Sequence, residues 1–268
     1  MSLFSSVLCA LDSSPLAPRV LRHAIGIAGA FGAKLSILTV VNKDAHQAEL
    51  KIASLLKDVL PPGATYVGQP TTLGMQLVMG QAVDAIVDAA GDSTDLIVAG
   101  THSKSGLASW FLGSTSAQLL EQAACPVLLV PPGDVDIVAI DATSARLTPG
   151  AVLGAVDLSD INERQLTVAA EVAAVASQPL TLMTVAETSL ADAAAEQALA
   201  ELARRVGASA RTLVRHGTVA AEIDRAAVAE HAGLVVMGLR AVDRGTPGAI
   251  ATAVLKQKDA LVLAVPAR

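Results

Sequence analysis

The chain alternates short runs of consecutive apolar residues with longer segments in which apolar residues recur every three to four positions. In the first half the apolar runs lie near residues 5–11, 34–41, 75–79, 95–99 and 125–130. The periodic segments between them are residues 17–31, 45–60, 82–90 and 114–122. Continuous apolar runs are typical of parallel strands buried on both faces, and the periodic segments are typical of amphipathic helices. The pattern therefore predicts an α/β fold with a parallel sheet covered by helices.

The second half of the chain repeats this order of elements. Residues 152–159 (Val-Leu-Gly-Ala-Val-Asp-Leu-Ser) match residues 7–14 (Val-Leu-Cys-Ala-Leu-Asp-Ser-Ser), and each segment precedes a long Ala-rich helix. The further matches are 180–185 with 35–40, 234–238 with 96–100, and 260–266 with 126–131. A repeat of this length indicates two homologous units. We therefore predict two tandem open, mostly parallel five-stranded sheets flanked by helices, with domains at residues 1–134 and 135–268.

Composition narrows the class of protein. Of the 268 residues 52% are hydrophobic and only 16% are charged, which is enough apolar material for two globular cores. No apolar run approaches the roughly 18 residues of a membrane span, and the first apolar run lacks the basic segment of a signal peptide. We therefore expect a cytoplasmic protein without a membrane anchor. A net charge of −6 and an aromatic content of 2% argue against a nucleic-acid partner.

The side chains that carry most enzyme chemistry form no recognisable motif. The two cysteines, Cys9 and Cys125, lie in apolar strand-like surroundings, and the five histidines show no metal-ligand spacing. The Gly-rich signatures of P-loop enzymes and of dinucleotide-binding dehydrogenases are missing as well. We therefore predict no metal site, no disulfide and no enzymatic activity, although slow ATP hydrolysis stays open as an alternative.

One stretch does indicate a binding site. Gly100 and Gly113 bracket a loop that follows the apolar run at residues 95–99 and leads into the helix at 114–122, which Ser114 opens. The first backbone N–H groups of a helix lack partners within the helix, so they can hold an anion at its N-terminus. We interpret the stretch as a phosphate-holding loop; the alternative is an ordinary connection capped by Ser114.

Three features resemble the universal stress protein family, and together they extend over the whole chain. They are the order of the elements, the Asp after the first strand, and a loop that reads Gly-x-x-Ser, then nine residues, then Gly-Ser. The resemblance implies the adenine-nucleotide alpha-hydrolase-like fold of that family, an open five-stranded parallel sheet. It also implies ATP, or ADP or AMP, bound at the carboxyl ends of the strands, and Mg²⁺ could accompany ATP. The function that it implies is that of a stress-response or regulatory protein.

The family's binding residues can be carried over position by position. The resemblance places Asp12 and Val40 beside the nucleoside, and it gives the phosphate loop as Gly100, His102, Ser103, Gly113, Ser114 and Thr115. Ser103 stands where the family has its second glycine, and a positive φ there would cost a serine roughly 1 kcal/mol. Asp12 has an alternative reading as a turn and helix-capping residue.

The second half keeps the spacing of the loop but loses its glycines. Gly238 corresponds to Gly100, but Ala241 stands at the position of Ser103. Ala251 and Thr252 stand at the positions of Gly113 and Ser114. We therefore expect this half to bind nucleotide poorly or not at all and to act as the intramolecular pairing partner of the first half. A homodimer and an unidentified protein partner are further expectations, and a nucleotide-free interaction scaffold is the alternative function.

Overall fold

The computed structural model describes residues 2–41, 45–62, 74–101, 113–186, 192–206, 210–239, 249–257 and 259–267. His102 and Ser103 of the predicted phosphate loop lie outside these ranges. The contacts divide the chain into two compact units. The first unit comprises Met1–Pro132 and Val138–Leu147, and the second comprises Gly133–Ile137 and Thr148–Arg268. The boundary predicted after residue 134 falls within residues 133–147, which are divided between the two units.

The first unit is a five-stranded parallel sheet with helices between its strands. Its elements are β1 (Ser6–Leu11), α1 (Ala17–Phe31), β2 (Lys34–Val40), α2 (Ala45–Val59), β3 (Gly74–Val78), α3 (Ala82–Ala90), β4 (Leu96–Gly100), α4 (Ser114–Gln122) and β5 (Val127–Val130). The strands lie in the order β3-β2-β1-β4-β5, and all four neighbouring pairs are parallel. Helix α1 contacts α2, and α3 contacts α4. The predicted α/β fold with an open parallel sheet flanked by helices is confirmed.

A short antiparallel hairpin completes the first unit. Its strands are β6 (Val138–Ile140) and β7 (Ala145–Leu147), and both pack against α1. Asp141 begins the turn, where its carboxylate accepts hydrogen bonds from the backbone N–H groups of Thr143 and Ser144 and from both hydroxyls. These bonds, led by the one from the Ser144 hydroxyl, lower the pKa of Asp141 to about 2.

The second unit repeats the plan of the first. Its elements are β8 (Val152–Ala155), α5 (Glu163–Ala176), β9 (Leu180–Ala186), α6 (Asp192–Arg205), β10 (Arg211–His216), α7 (Val219–Ala229), β11 (Leu234–Leu239), α8 (Ala249–Gln257) and β12 (Leu261–Pro266). The strand order is β10-β9-β8-β11-β12, again with parallel pairs. Each of β8, β9, β11 and β12 is mostly buried, as the continuous apolar runs predict.

Two element ends in the first unit, the start of β4 and the end of α1, are marked by local contacts. Strand β4 begins at Leu96, one residue later than predicted. The carboxylate of Asp95 accepts hydrogen bonds from the N–H groups of Ser5 and Ser6, and its own N–H donates to the carbonyl of Ser6. Helix α1 ends at Gly32, whose φ of 64° is the left-handed conformation that favours glycine. Its N–H group bonds the carbonyls of the preceding turn.

The remaining compositional predictions concern cysteines, membranes and metals. Cys9 and Cys125 are both buried, and burial raises the pKa of the Cys9 thiol, so Cys9 stays protonated and acts as a small apolar residue. Among the residues that the structure describes, no helix is long and apolar enough to cross a membrane. The same part of the chain holds no group of three or more potential metal ligands.

Candidate functional site

Asp12 lies just beyond the carboxyl end of β1, in the turn that leads to α1. One of its carboxylate oxygens, Oδ1, accepts a hydrogen bond of 3.0 Å from the N–H group of Ser14. The carbonyl of Ser14 in turn accepts a bond of 3.2 Å from Ala17 at the start of the helix. Asp12 is therefore a turn residue, as the alternative reading expects, but it does not cap α1, whose N-cap is Leu16 with no side-chain cap hydrogen bond. The turn uses one acceptor of the exposed carboxylate, which retains others.

A cavity of about 450 Å³ adjoins this turn. Its walls are the end of β1 at residues 11–13, the end of β2 at residues 39–41, and the face of α2 that carries Gln47, Ala48, Lys51, Ile52 and Leu55. Asp12 and Val40, the two positions that the resemblance assigns to a nucleoside, both line it. Six of the eleven wall residues are aliphatic and five are polar, a mixture of apolar surface and polar groups that can hold a small molecule.

Lys51 connects α2 to the turn at the cavity wall. Its ammonium donates a hydrogen bond of 3.0 Å to the carbonyl of Ser13, the residue that follows Asp12. The side chain is otherwise exposed. An ammonium has three N–H donors, so one bond to a carbonyl leaves capacity for ligand oxygens. The cavity therefore has a carboxylate and an ammonium on neighbouring parts of its wall.

The predicted phosphate site lies at the N-terminus of α4. Gly113 is the N-cap residue and has no side chain to cap the helix, so the first N–H groups of α4 receive no side-chain cap there. Ser114 is exposed and Thr115 is partly exposed. Ser116 is buried, and its hydroxyl donates to the carbonyl of Gly100 over 2.8 Å, which ties α4 to the end of β4. This helix end can accept an anion.

Packing accounts for Gly100, and the backbone angles of Gly113 do not require a glycine. A Cβ on Gly100 would lie 3.0 Å from Leu16 Cδ2 and 3.1 Å from Val20 Cγ2, so glycine there permits close packing of α1 on β4. Gly113 has φ −58° and ψ 150°, a conformation that other residues adopt readily. Neither glycine is required by a left-handed backbone, and the packing of Gly100 is sufficient to explain its presence.

The structure groups the predicted site residues into two places. Asp12 and Val40 share the cavity between β1, β2 and α2, whereas Gly100, Gly113, Ser114 and Thr115 lie at β4 and α4 and are not part of its wall. Strand β1 lies between β2 and β4, so the two places are on either side of β1 at the same end of the sheet. This edge, outside the carboxyl ends of the strands, is where open α/β sheets bind ligands.

Sequence reasoning missed the part of the wall that α2 supplies. The residues are Gln47, Ala48, Lys51, Ile52 and Leu55, together with Thr39 from β2. Their spacing within α2, at i, i+1, i+4, i+5 and i+8, places them on one helix face. The spacing could have shown that these residues share a face, but not that this face borders a cavity.

The second unit differs at the corresponding end of its sheet. Asn162 caps α5, accepts from the N–H of Gln165 and donates to the carbonyl of Val265. Gln165 is buried, and its amide donates to the carbonyls of Ala155 and Val236 over 2.7 and 3.0 Å. The first turn of α5 thus uses its polar groups to join three strand ends of its own sheet.

Comparisons with known proteins agree with this architecture. The family model described as the universal stress protein family matches residues 4–131. A universal stress protein from Thermus aquaticus, named for its position in the 3′ region of a QAH/OAS sulfhydrylase gene, is 32% identical over 140 residues, which are 48% of this chain and 99% of that protein. The chain belongs to the universal stress protein family.

Solved structures of universal stress proteins share the fold over nearly the whole chain. One, from Pseudomonas aeruginosa and described as a putative universal stress protein, has a TM-score of 0.72 at 20% identity and covers 98% of this chain and 93% of its own. Another, from Archaeoglobus fulgidus, has a TM-score of 0.72 at 19% identity and covers 99% and 97%. At these identities the likeness establishes the fold alone.

Proposed function

We propose that the first unit of this universal stress protein binds ATP or another adenine nucleotide. The nucleoside occupies the cavity between β1, β2 and α2, and the phosphates extend over β1 to the N-terminus of α4. The observation that carries the proposal is that Asp12 and Val40, which the family resemblance assigns to a nucleoside, line one cavity of about 450 Å³.

The chemistry of the two places suits the two ends of a nucleotide. The aliphatic wall contributed by residues such as Leu11, Ile52 and Leu55 can bury a planar base. Asp12 accepts hydrogen bonds from ribose hydroxyls or from the adenine amine, and the Val40 backbone reads the base edge. At α4, unpaired N–H groups and the Ser114 hydroxyl serve phosphate oxygens, with Mg²⁺ as a companion of ATP. His102 and Ser103 keep their proposed place in this loop.

The role that follows is regulatory binding in a stress response and not catalysis. We place the protein in the cytoplasm and assign the second unit, with its eroded loop, the part of a partner domain rather than of a second nucleotide site. Self-association into a homodimer and a protein partner that senses the nucleotide state belong to the same proposal. Slow ATP hydrolysis remains the enzymatic alternative.

The test is isothermal titration calorimetry of the full chain with ATP, ADP, AMP and adenosine, with and without Mg²⁺. Ser114→Asp is the diagnostic variant. An acidic residue in the first turn of a helix stabilises it by roughly 0.3–1 kcal/mol, so the fold should persist. The added charge should weaken ATP binding at least about fivefold, since a like charge a few ångströms from phosphate costs roughly 1–4 kcal/mol. Adenosine, without phosphates, should lose little.

Thr252→Asp provides the matched control in the second unit. Thr252 occupies the position of α8 that corresponds to Ser114 in the repeat, and it is partly exposed. ATP binding should survive this substitution at the wild-type level. Equal losses from the two variants would contradict the model of one working site, and the lack of any measurable nucleotide binding to the wild-type chain would refute the proposed function.

A nucleotide-free interaction scaffold is the second candidate, and one observation favours it. The contacts of Gly100 with Leu16 and Val20 explain that glycine without a ligand. A scaffold predicts that protein purified from cells releases no adenine nucleotide on heating and shows no calorimetric signal at millimolar ATP. Either a released nucleotide or a measurable affinity decides in favour of the first candidate.

A further inference from the structure

Strand β3 forms the outer edge of the sheet in the first unit. Among the described residues it pairs with β2 alone. The N–H group of Val41 donates to the carbonyl of Val78 over 2.9 Å, so the backbone polar groups of Val78 face β2. Because these groups alternate along a strand, those of Met75 and Leu77 face away from β2, and they find no partner among the described residues. Such an edge is a template for pairing with another chain.

The side chains at this edge form an apolar row that is exposed at both ends. Met75 and Leu77 lie on one face of the strand, and Met79 is the next residue of that row. The exposed fraction is 41% for Met75 and 74% for Met79. Natural proteins protect an edge strand with charged side chains or proline, but residues 74–82 contain neither. The edge therefore lacks the usual protection against pairing.

The edge strand of the second unit, β10, has the protection that β3 lacks. It occupies the corresponding place in its own sheet, beside β9. It carries Arg211, Arg215 and His216 within six residues, and Arg211 forms an ion pair of 2.8 Å with Glu230. Two copies of β10 side by side would bring arginines close to one another, and like charges on neighbouring strands disfavour pairing. The two edges of the repeat thus differ in charge, and only β3 can meet its own copy without repulsion.

The sequence of the β3 edge is close to a palindrome centred on Leu77. Residues 74–80 read Gly-Met-Gln-Leu-Val-Met-Gly, and only Gln76 and Val78 break the symmetry. Two antiparallel copies related by a twofold axis at Leu77 place Met75 of one protomer opposite the partner's Met79. The strand ends at Val78, so the pairing extends it by one residue. A twofold interface requires a surface that is complementary to itself, and this edge has that property.

We propose that β3 is a self-association surface at which two copies of this chain pair antiparallel about a twofold axis at Leu77. The backbone groups that face away from β2 then bond each other, and the methionines of the two copies cover one another. One strand edge is small beside the roughly 1,200–2,000 Å² of a stable interface, so the dimer is weak and depends on concentration. The inference gives the self-association in the proposed function a surface, and it does not depend on nucleotide binding.

The experiment compares two double variants of the full chain by analytical ultracentrifugation at protein concentrations from about 1 µM to about 1 mM. In Met75→Lys with Met79→Lys, the twofold register places an ammonium opposite an ammonium at both ends of the pairing. In Met75→Lys with Met79→Glu, it places an ammonium opposite a carboxylate. Both variants lose the same methionine contacts at exposed positions, so the fold should persist in both. The mixed-charge variant should dimerise at least about fourfold more tightly than the variant with two lysines.

Amide hydrogen exchange of the wild-type chain tests the same pairing residue by residue. The amides of Met75 and Leu77 should exchange more slowly as the protein concentration rises, because the dimer gives them acceptors. The amides of Gln76 and Val78 already face β2 and should not change. Thr212→Lys, at an exposed position of β10, is the control and should leave the dimerisation constant of the wild-type chain unchanged.

Two results would overturn the inference. One is a wild-type chain that stays monomeric over the whole concentration range. The other is equal dimerisation of the two double variants, because the twofold register at Leu77 requires them to differ. Neither result bears on nucleotide binding, which the calorimetric titrations decide separately, and a chain that binds no nucleotide should still dimerise through β3.

Discussion

Gly26 in α1 offers a packing test in which the sign of the effect is informative. It lies in the interior of a 15-residue helix, where replacing glycine by alanine normally stabilises by about 1 kcal/mol. Here a Cβ would lie 2.5 Å from Val138 Cβ and 2.7 and 2.9 Å from the two methyl carbons. Because Val138 Cβ is attached directly to the backbone of β6, the clash cannot be relieved by rotating a flexible side chain.

Gly26→Ala should therefore destabilise the first unit. Overpacking a well-filled site costs typically about 1–3 kcal/mol, which outweighs the gain of about 1 kcal/mol in helix propensity. Because the distances to Val138 are far below ordinary contact, we expect the upper part of that range and a net loss of up to roughly 2 kcal/mol in the free energy of unfolding. The measurement is urea denaturation monitored by circular dichroism, with the slope of the transition compared between variants to verify that the unfolded states are alike.

A second substitution checks the cause of the loss. In a Val138→Gly background the clashing atoms are gone, so Gly26→Ala should become neutral or stabilising by up to about 1 kcal/mol. The same substitution thus changes sign with the identity of one neighbour, which a general weakening of α1 would not produce. Stabilisation by Gly26→Ala in the wild-type background, or equal destabilisation in both, would refute the packing argument.

Two further predictions concern α2 and the hairpin. Lys51→Met removes the bond to the Ser13 carbonyl and should increase hydrogen exchange of the α2 amides roughly two- to tenfold. Lys57→Met, at an exposed position of the same helix, is the control. Unchanged exchange in both variants would contradict a role for Lys51 in holding α2. The lowered pKa of Asp141 stabilises the folded hairpin above the ordinary value of 3.8, and that contribution should be lost as the pH falls towards about 2. A titration of the Asp141 carboxyl carbon by NMR with a midpoint near the ordinary value would be inconsistent with the turn.

The periodicity of the sequence was sufficient for the fold because the strands are buried on both faces. A run such as residues 96–100 has few alternatives to a central parallel strand, and α1, α3 and α4 have the bounds that their patterns predict. The differences lie at strand ends. Asp95, predicted within the strand, precedes β4, and its carboxylate accepts hydrogen bonds from the N–H groups of residues 5 and 6, which lie about 90 positions away in sequence and leave no local signal.

The site was predictable only in part, for a reason that concerns packing. Asp12 follows β1 and Val40 is the last residue of β2, so topology alone brings them to one edge of the sheet. The wall supplied by α2 depends on how far the helix stands from the sheet, which hydrophobic periodicity does not encode. Periodicity predicts a helix over residues 45–60, but it does not distinguish a helix that fills its space from one that borders a cavity.

The helices that follow the second strand of each unit show what periodicity leaves undecided. In α6 four residues are buried, namely Ala195, Leu199, Leu202 and Ala203. In α2, over its described side chains at residues 46–59, only Ile52 is buried, and the face that borders the cavity also carries the polar residues Gln47 and Lys51. Both segments have helical periodicity, so the difference between them lies in which side chains the rest of each unit buries, and that is decided by packing.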